Sequence, residues 1–324
     1  MPVRDSVQKR TRFFSLILFV VVVVVPSAAE SQDLAFKPAG NSMFTFDTGV
    51  VKGRLSAGQK SQGIPAMVDV KSSVAIAASG PEFPGLLSYY RVFSANKRYG
   101  DAVRDWPKSA ALLPDGTVQI QWSAADAHPV EITAIYRWKA PDTLDLITVV
   151  RPTVDMKDFE VFLSSYFTKN FKSRIYCKAP FHLPGKPSFV SADVNPLVRG
   201  TYPAFPRDHR AAEIIYDGRW DYGPNPVQMS VTQMLAAPLC MRQDAKNKIA
   251  VLLMSRPEDC FAIVTPYNMD PPDGVSNHYS MYMSLFGRDL KAGETAQARV
   301  RLVVGQNISD QSAVDLYEKF IQEK

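Results

Sequence analysis

The chain has 324 residues, of which 46% are hydrophobic and 21% charged, so it is long enough to bury a sizeable core. Its formal net charge is +5, but the first 29 residues carry four basic side chains and one acidic one. The rest of the chain therefore carries 33 basic and 31 acidic residues, a surplus of +2. So small a surplus gives no support for binding to nucleic acid or to an anionic membrane.

The beginning of the chain has the order of a secretory signal peptide. Basic residues at positions 4–12 precede an apolar run over residues 13–25, which Pro26 ends. Ser27-Ala28-Ala29 then offers the small residues of a cleavage site. The run is shorter than the roughly 20 residues that span a bilayer. We predict a signal peptide over residues 1–29, export to the periplasm or beyond, and no membrane span in the mature chain; the alternative is an uncleaved anchor.

Short apolar segments dominate residues 30–324. They are rich in Val, Ile, Tyr, Phe and Thr and are bounded by Pro, Gly, Asp and Asn, as strands are. The segments predicted as strands are Met43–Phe46, Val50–Leu55, Ala66–Val70, Val74–Ala78, Leu86–Phe93, Ala110–Leu113, Val118–Trp122, Val130–Trp138, Thr143–Val150, Phe159–Phe167, Ala211–Tyr216, Val227–Ala236, Ile249–Met254, Phe261–Pro266, Tyr279–Phe286 and Gln297–Val304.

The strongest strand signal is the hairpin formed by 130–138 and 143–150. One face of its first arm carries Val130, Ile132, Ala134 and Tyr136, and the other carries Glu131, Thr133, Ile135 and Arg137. This period of two is typical of half-buried antiparallel strands.

Two segments depart from the strand pattern. Residues 168–209 are rich in Pro, Lys and Gly and are predicted to form a long loop. After Ser309, a potential N-cap, apolar residues recur at helical spacing. The fold class is therefore all-β: a large antiparallel, supersandwich-like sandwich with one C-terminal helix, built as one domain over residues 30–324. Two packed β domains are the alternative.

Familiar catalytic and metal-binding motifs are missing from the sequence. It has no G-x-S-x-G, H-E-x-x-H, P-loop or G-x-G-x-x-G, its four histidines are scattered, and its three cysteines form no C-x-x-C pair. We predict no metal site and no cofactor. Cys177, Cys240 and Cys260 leave two alternatives open: a Cys240–Cys260 disulfide or three buried thiols.

Aromatic and basic residues occur together in two segments. The first, 86–106, contains Tyr89, Tyr90, Arg91, Arg98, Tyr99, Arg104 and Trp106; the second, 210–222, contains Tyr216, Asp217, Arg219, Trp220, Asp221 and Tyr222. A sugar site combines an apolar wall with a few polar groups at its rim, and both segments offer that combination. The residues predicted to bind ligand are Tyr89, Arg91, Arg137, Arg219 and Trp220, while Asp217 and Asp221 are candidate acid/base groups.

Two stretches near the end of the chain resemble a known family. Residues 289–295, with the following strand 298–304, are similar to the closing hairpin of galactose mutarotase-like sandwiches, the fold of the aldose epimerases. Residues 277–282 look like the Asn-His plus aromatic strand of that family. The resemblance implies that His278 corresponds to the acid histidine. It supplies no strand-borne catalytic glutamate, because the glutamates after His278 lie in a turn or on the predicted helix.

The sequence favours an exported carbohydrate-binding or carbohydrate-modifying protein with an unassigned reaction, and a glycan is the expected ligand. Whether the protein is an enzyme stays open. Isomerase or lyase chemistry would use His278 with Asp217 or Asp221 for proton transfer. The alternatives are a non-catalytic structural or protein-interaction domain of the cell envelope, whose partner the sequence does not identify, and a hydrolase with an unfamiliar site.

Overall fold

The computed structural model describes residues 1, 34–58, 62–77, 84–180, 183–192, 198–221, 227–266 and 279–323. Its first four strands form an antiparallel sheet in chain order. They are β1 (Lys37–Pro38), β2 (Met43–Asp47), β3 (Val51–Ser56) and β4 (Gly63–Asp69).

Seven strands from the middle of the chain come next, with a single 3-10 turn (Val103–Asp105) between the second and the third. They are β5 (Ser88–Ser94), β6 (Lys97–Arg98), β7 (Lys108–Leu112), β8 (Val118–Trp122), β9 (Val130–Ala140), β10 (Thr143–Pro152) and β11 (Met156–Tyr166).

The last nine strands are accompanied by two helices. The strands are β12 (Lys172–Cys177), β13 (Ser188–Ser191), β14 (Tyr202–Pro206), β15 (Met229–Val231), β16 (Leu235–Asp244), β17 (Ile249–Ser255), β18 (Cys260–Val264), β19 (Ser280–Leu290) and β20 (Ala296–Gln306). The helices are α1 (His209–Ile215) and α2 (Asp310–Gln322).

Strands β5–β20 form two large sheets. The nine-stranded sheet has the order β13-β12-β16-β17-β20-β10-β9-β8-β7, and the seven-stranded sheet has the order β15-β14-β18-β19-β11-β5-β6. All their pairings are antiparallel except that of β14 with β15. The predicted all-β antiparallel sandwich with a C-terminal helix is confirmed.

The main core lies between the two sheets and follows the alternation of the strands. On β9, Val130, Ile132, Ala134 and Tyr136 are all fully buried, as predicted. They share one cluster with inward residues of the seven-stranded sheet such as Val161 and Met283.

Each large sheet also carries apolar side chains on its outer face, and a helix covers part of them. On the seven-stranded sheet, α1 and residue Trp220 pack over Phe93, Phe162 and Tyr282. On the nine-stranded sheet, α2 packs over residues of β16, β17 and β20. Ser309 accepts a hydrogen bond from the backbone of Ser312 at the start of α2, which confirms the predicted cap. No helix among the described residues is long and apolar enough to cross a membrane.

Three expectations about local structure were wrong. The predicted loop 168–209 contains β12, β13 and β14, whose Pro and Lys residues hide the strand signal. The predicted strand Ala211–Tyr216 lies largely within α1, because Asp208 caps a helix by accepting from the backbone N–H of Ala211. Residues 74–77 make only isolated bridges.

All three cysteines are free and buried, so of the two cysteine alternatives the structure has the buried thiols. Burial raises the pKa of all three thiols.

Candidate functional site

A β-bulge in β5 places an arginine on the outer face of the seven-stranded sheet. Leu163 of β11 pairs with Tyr89, but the next residue, Phe162, pairs with Arg91, so Tyr90 is the additional residue of the bulge. Tyr89 points into the core between the sheets, whereas Arg91 contacts residues of the outer face. A bulge changes the direction of the following side chain in this way.

Next to this bulge the structure has a cavity of about 200 Å³, which we call the arginine pocket. The bulge, the end of β6 and the 3-10 turn at 103–105 surround it. Its charged and aromatic lining consists of Tyr90, Arg91, Arg98, Asp101, Arg104 and Asp105.

Tyr90 holds two of the three guanidinium groups in place. The centre of the Arg91 guanidinium lies 4.7 Å from the centroid of the Tyr90 ring, and that of Arg104 lies 5.0 Å from it. Arg91 also donates a hydrogen bond of 3.1 Å to the Tyr90 hydroxyl. Both contacts are cation–π arrangements, which favour a fixed position of the charge.

The electrostatics of the pocket are dominated by its arginines. Burial lowers the pKa of Arg98, and the nearby charge of Arg91 lowers it further, while Asp101 opposes both effects. Asp101 and Asp105 are exposed, whereas Arg91 is only 4% exposed. Of the charged residues that line the pocket, Arg91 is therefore the buried one and the two carboxylates are exposed.

An aromatic layer lies beside the pocket on the same face of the sheet. Trp220 packs 4.7 Å from both Phe93 and Phe162, and Phe162 stacks on Tyr282 at 4.7 Å. The hydroxyls of Tyr282 and Tyr166 are 3.3 Å apart. Burial raises the pKa of Tyr166 to about 12.

A buried ion pair fixes the loop that carries Trp220. Arg219 donates to Glu160 at 2.6 Å, to the two Asp217 oxygens at 3.1 and 2.9 Å, and to the carbonyl of Asp158 at 3.0 Å. The Arg219 side chain is completely buried and that of Glu160 nearly so. The charges of Glu160 and Asp217 raise the pKa of Arg219 against the opposing effect of burial. Arg219 and Asp217 thus hold the loop to β11.

The structure brings some of the predicted site residues together and separates others. Arg91 and Trp220 are in contact, with the guanidinium 5.4 Å from the indole ring, and Arg219 and Asp217 lie on the same face of the sheet. Asp221 is exposed at the end of that loop. His278 lies outside the described residues.

Tyr89 and Arg137 lie elsewhere. Tyr89 is fully buried between the sheets, and its hydroxyl is 2.6 Å from that of Thr148. Arg137 is on the outer face of the nine-stranded sheet, where it pairs with Asp115 at 2.7 Å. There it lines a second cavity of about 420 Å³ together with Lys139, Asp145, Ile147, Arg256, Glu258, Asp259, Gln297 and Arg299.

Sequence reasoning did not select Tyr90, Arg104 or Glu160. Tyr90 and Arg104 belong to the aromatic and basic segment 86–106, so a signal for them existed. The bulge that distinguishes Tyr90 from Tyr89 leaves no mark in the composition. Glu160 lies 59 positions before its partner Arg219, and nothing in the sequence connects them. Among the described residues, no group of three or more His, Cys, Asp or Glu side chains could hold a metal ion.

Comparison with known proteins shows that the fold of this chain is similar to that of several solved structures. The chain is similar to the Slr1438 protein from Synechocystis sp. PCC 6803, with a TM-score of 0.50 and 12% identity over 85% of this chain and 99% of that one. The GalM/aldose epimerase homologue from C. elegans gives a TM-score of 0.46 at 8% identity over 81% of this chain and 97% of that one. Galactose 1-epimerase from Lactobacillus acidophilus NCFM gives 0.42 at 9% identity over 84% and 98%.

No protein-family model matches the chain, and no curated protein matches its sequence. At identities this low the structural likeness concerns the fold alone. Two of these solved structures carry the names aldose epimerase homologue and galactose 1-epimerase, so the expected resemblance to the aldose epimerases is found at the level of fold.

Proposed function

We propose that this chain is an exported protein that binds or modifies carbohydrate at the arginine pocket. The observation that carries the proposal is the contact of the Tyr90 ring with two guanidinium groups that line the pocket together with it. Guanidinium groups present several N–H donors in a fixed plane, and sugar hydroxyls are their natural acceptors. Tyr90 supplies apolar surface beside them. A few placed polar groups next to an aromatic side chain are the ingredients of a sugar site.

The fold supports the same proposal. One of the similar solved structures is named a galactose 1-epimerase, and another is named a GalM/aldose epimerase homologue. Export is proposed from the basic, apolar and small-residue order of residues 1–29. Sequencing the N-terminus of the protein recovered from the cell envelope fraction would test it, since cleavage should remove these residues.

A glycan array followed by calorimetric titration tests the binding function. We expect at least one glycan class to bind, and we expect Tyr90→Ala to abolish or strongly weaken that binding. Tyr176→Ala is a matched control, because Tyr176 is another half-buried tyrosine but lies on the nine-stranded sheet against Phe189. Equal binding by the wild type and Tyr90→Ala would exclude the arginine pocket as the site.

One observation favours the alternative of a non-catalytic interaction protein. Most of the aromatic side chains on the outer face pack against each other, and Trp220 is only 5% exposed. If the array and the titration both show no glycan, cross-linking in the native envelope followed by mass spectrometry should identify a protein partner.

A further inference from the structure

The second cavity, which Arg137 lines on the outer face of the nine-stranded sheet, is large enough for a small ligand. Its volume of about 420 Å³ lies within the range of about 300–1,000 Å³ that is typical of ligand sites. Neighbouring strands β9, β10 and β20 contribute residues to its lining, and so does the connection between β17 and β18. It is separate from the arginine pocket, which lies on the seven-stranded sheet.

The charges in the middle of this lining are balanced within the protein. Asp145 of β10 accepts hydrogen bonds on both of its oxygens from Arg301. Arg299 of β20 pairs with Glu323 at 3.2 Å. The charges that remain available to a ligand therefore lie at the two ends of the lining, on β9 and on the β17–β18 connection.

The β9 end of the second cavity is cationic. Lys139 is exposed and has no hydrogen-bond or ion-pair partner among the described residues. Arg137, two positions earlier on the same face of the strand, pairs with Asp115 at the surface, where both side chains are half-exposed. An accessible ammonium group beside an accessible guanidinium group favours a carboxylate, which accepts charge-assisted hydrogen bonds from both.

The other end of the cavity carries carboxylates. Asp259 accepts a hydrogen bond of 2.9 Å from the backbone of Arg299 on Oδ2, whereas its Oδ1 has no partner in the described part of the chain and is not fully enclosed. Glu258 is exposed, and its contact with Arg256 is long, at 3.8 Å. Burial raises the pKa of Asp259 and the charge of Glu258 adds to the rise, against the opposing effects of Arg299 and Arg256. An ammonium group beside Asp259 would stabilise its charged form.

The spacing of the strands sets the distance between the two ends. Neighbouring strands lie about 4.8 Å apart and β10 separates β9 from β20, to which Asp259 is bonded, so the ends are about 10 Å apart. An extended peptide spans about 3.3 Å per residue, so about three residues cover this distance. Gln297 of β20 also lines the cavity, and its exposed amide can bond to the backbone of such a peptide.

We infer that the second cavity binds a short peptide of about three residues with free termini, its carboxylate at Lys139 and Arg137 and its ammonium group at Asp259. Charges of opposite sign at the two ends select a dipolar ligand, because a purely anionic or purely cationic ligand of that length would meet a like charge at one end. The inference does not depend on the proposed function, since the two cavities lie on different sheets.

Methyl NMR of the full chain, with labelled isoleucine δ1-methyl groups and triglycine as the probe, tests the inference. Ile147 lines the cavity, so its signal should shift saturably, whereas that of Ile175, in the core between the sheets, should stay in place. Ile147→Val identifies the signal by its loss. N-Acetyl-triglycine lacks the ammonium group and triglycinamide lacks the carboxylate, so each should bind about fivefold more weakly at neutral pH, the contribution of one exposed ion pair.

Two variants locate the ends of the peptide. Lys139→Gln should lose most of the difference in affinity between triglycine and triglycinamide, and Asp259→Asn should lose most of the difference between triglycine and N-acetyl-triglycine. Lys246→Gln is the control, because Lys246 is an exposed lysine between β16 and β17 and should leave both differences intact. Thermal melts of each variant show whether it has folded.

Three results would overturn the inference. The first is a titration with triglycine that leaves the Ile147 signal in place, and the second is equal affinity for triglycine and either of its blocked forms, since the ligand would then not be read as a dipole. The third is a difference that persists in the variant expected to remove it, because the charge would then be bound elsewhere. The glycan titrations with Tyr90→Ala test the proposed function independently of all three.

Discussion

Arginines lie on the outer faces of both large sheets, but they differ in whether a carboxylate pairs with them. On the nine-stranded sheet, Arg301 forms a two-bonded pair with Asp145 at 2.6 and 2.8 Å and also pairs with Glu323 at the end of α2. On the seven-stranded sheet, Arg219 is paired in the same way with Glu160 and Asp217. Arg104, in the 3-10 turn at 103–105, has no carboxylate partner among the described residues.

The difference separates arginines that join parts of the fold through carboxylates from an arginine that lines a cavity and contacts a tyrosine ring. Arg301 joins α2 to the sheet, and its guanidinium lies 4.9 Å from the ring of Phe320. Arg219 joins the loop of Trp220 to β11. Arg104 pairs with no carboxylate in the part of the chain that the structure describes, and the cation–π contact with Tyr90 orients its guanidinium. Binding sites retain such unpaired polar groups at the expense of stability.

The largest effect is expected from the fully buried pair. Arg219→Met should destabilise the protein by about 3–5 kcal/mol, because it leaves Glu160 buried without its counter-charge. Urea unfolding followed by tryptophan fluorescence measures the change. The double variant Arg219→Met with Glu160→Gln should recover part of the loss. If the single variant loses less than about 1 kcal/mol, the idea that this pair is structural is wrong.

A smaller loss is expected on the nine-stranded sheet. Asp145→Asn removes the two-bonded partner of Arg301, but Glu323 remains to balance the charge. Losing charge-assisted hydrogen bonds here should lower the free energy of unfolding by about 1.5–3 kcal/mol. The exposed pair Arg137–Asp115 provides the control, since Asp115→Asn should change stability by no more than about 1 kcal/mol. A loss for Asp145→Asn equal to that of the control would contradict the comparison.

Side-chain periodicity and strand-typical composition made the sandwich predictable, and misleading local composition explains where the prediction failed. β9 and α2 were found because one face of each is apolar at the right period. β14 was missed because two of its five residues are prolines, Pro203 and Pro206, which are uncommon inside strands. α1 was taken for a strand because Ile214, Ile215 and Tyr216 are typical strand residues, and only the cap at Asp208 indicates a helix.

The candidate site was predictable as a segment and not as a set of side chains. The cluster of aromatic and basic residues in 86–106 was visible in the sequence. Which tyrosine faces outward depends on the bulge opposite Phe162 and Leu163, which is a property of two strands together. Trp220 packs against the outer face of the seven-stranded sheet and Arg219 is neutralised through contacts across more than 50 positions, which composition does not encode.

The pairing of Glu323, at the end of α2, with Arg299 and Arg301 should make a smaller contribution to stability that depends on pH. Hydrogen bonds from Arg301 and the charges of Arg301 and Arg299 hold the pKa of Glu323 below its usual value of 4.5. Because the folded-state pKa is lowered, this stabilisation is fully present above pH 4.5 and is lost as the pH falls through the folded value. This stabilisation amounts to about 1 kcal/mol or less, because the Glu323 side chain is 39% exposed and solvent screens its charge.

Glu323→Gln isolates this contribution. The difference in unfolding free energy between wild type and Glu323→Gln should be constant near neutral pH and should shrink below pH 4.5. Urea titrations at a series of pH values measure it. A difference that grows on acidification would have the wrong sign for a carboxylate stabilised by arginine.

The smallest effect on stability is expected at the arginine pocket itself. Arg104→Met loses only the cation–π contact with Tyr90, which contributes about 0.5–1 kcal/mol, and it removes a buried N–H that has no acceptor within the described residues. These two changes oppose each other, so the free energy of unfolding should stay within about 0.5 kcal/mol of the wild type. Measuring the free energy of unfolding in urea for both Arg104→Met and Arg219→Met compares the two arginines directly. A loss as large as that of Arg219→Met would mean that Arg104 holds the fold together and that the pocket is not kept open for a ligand.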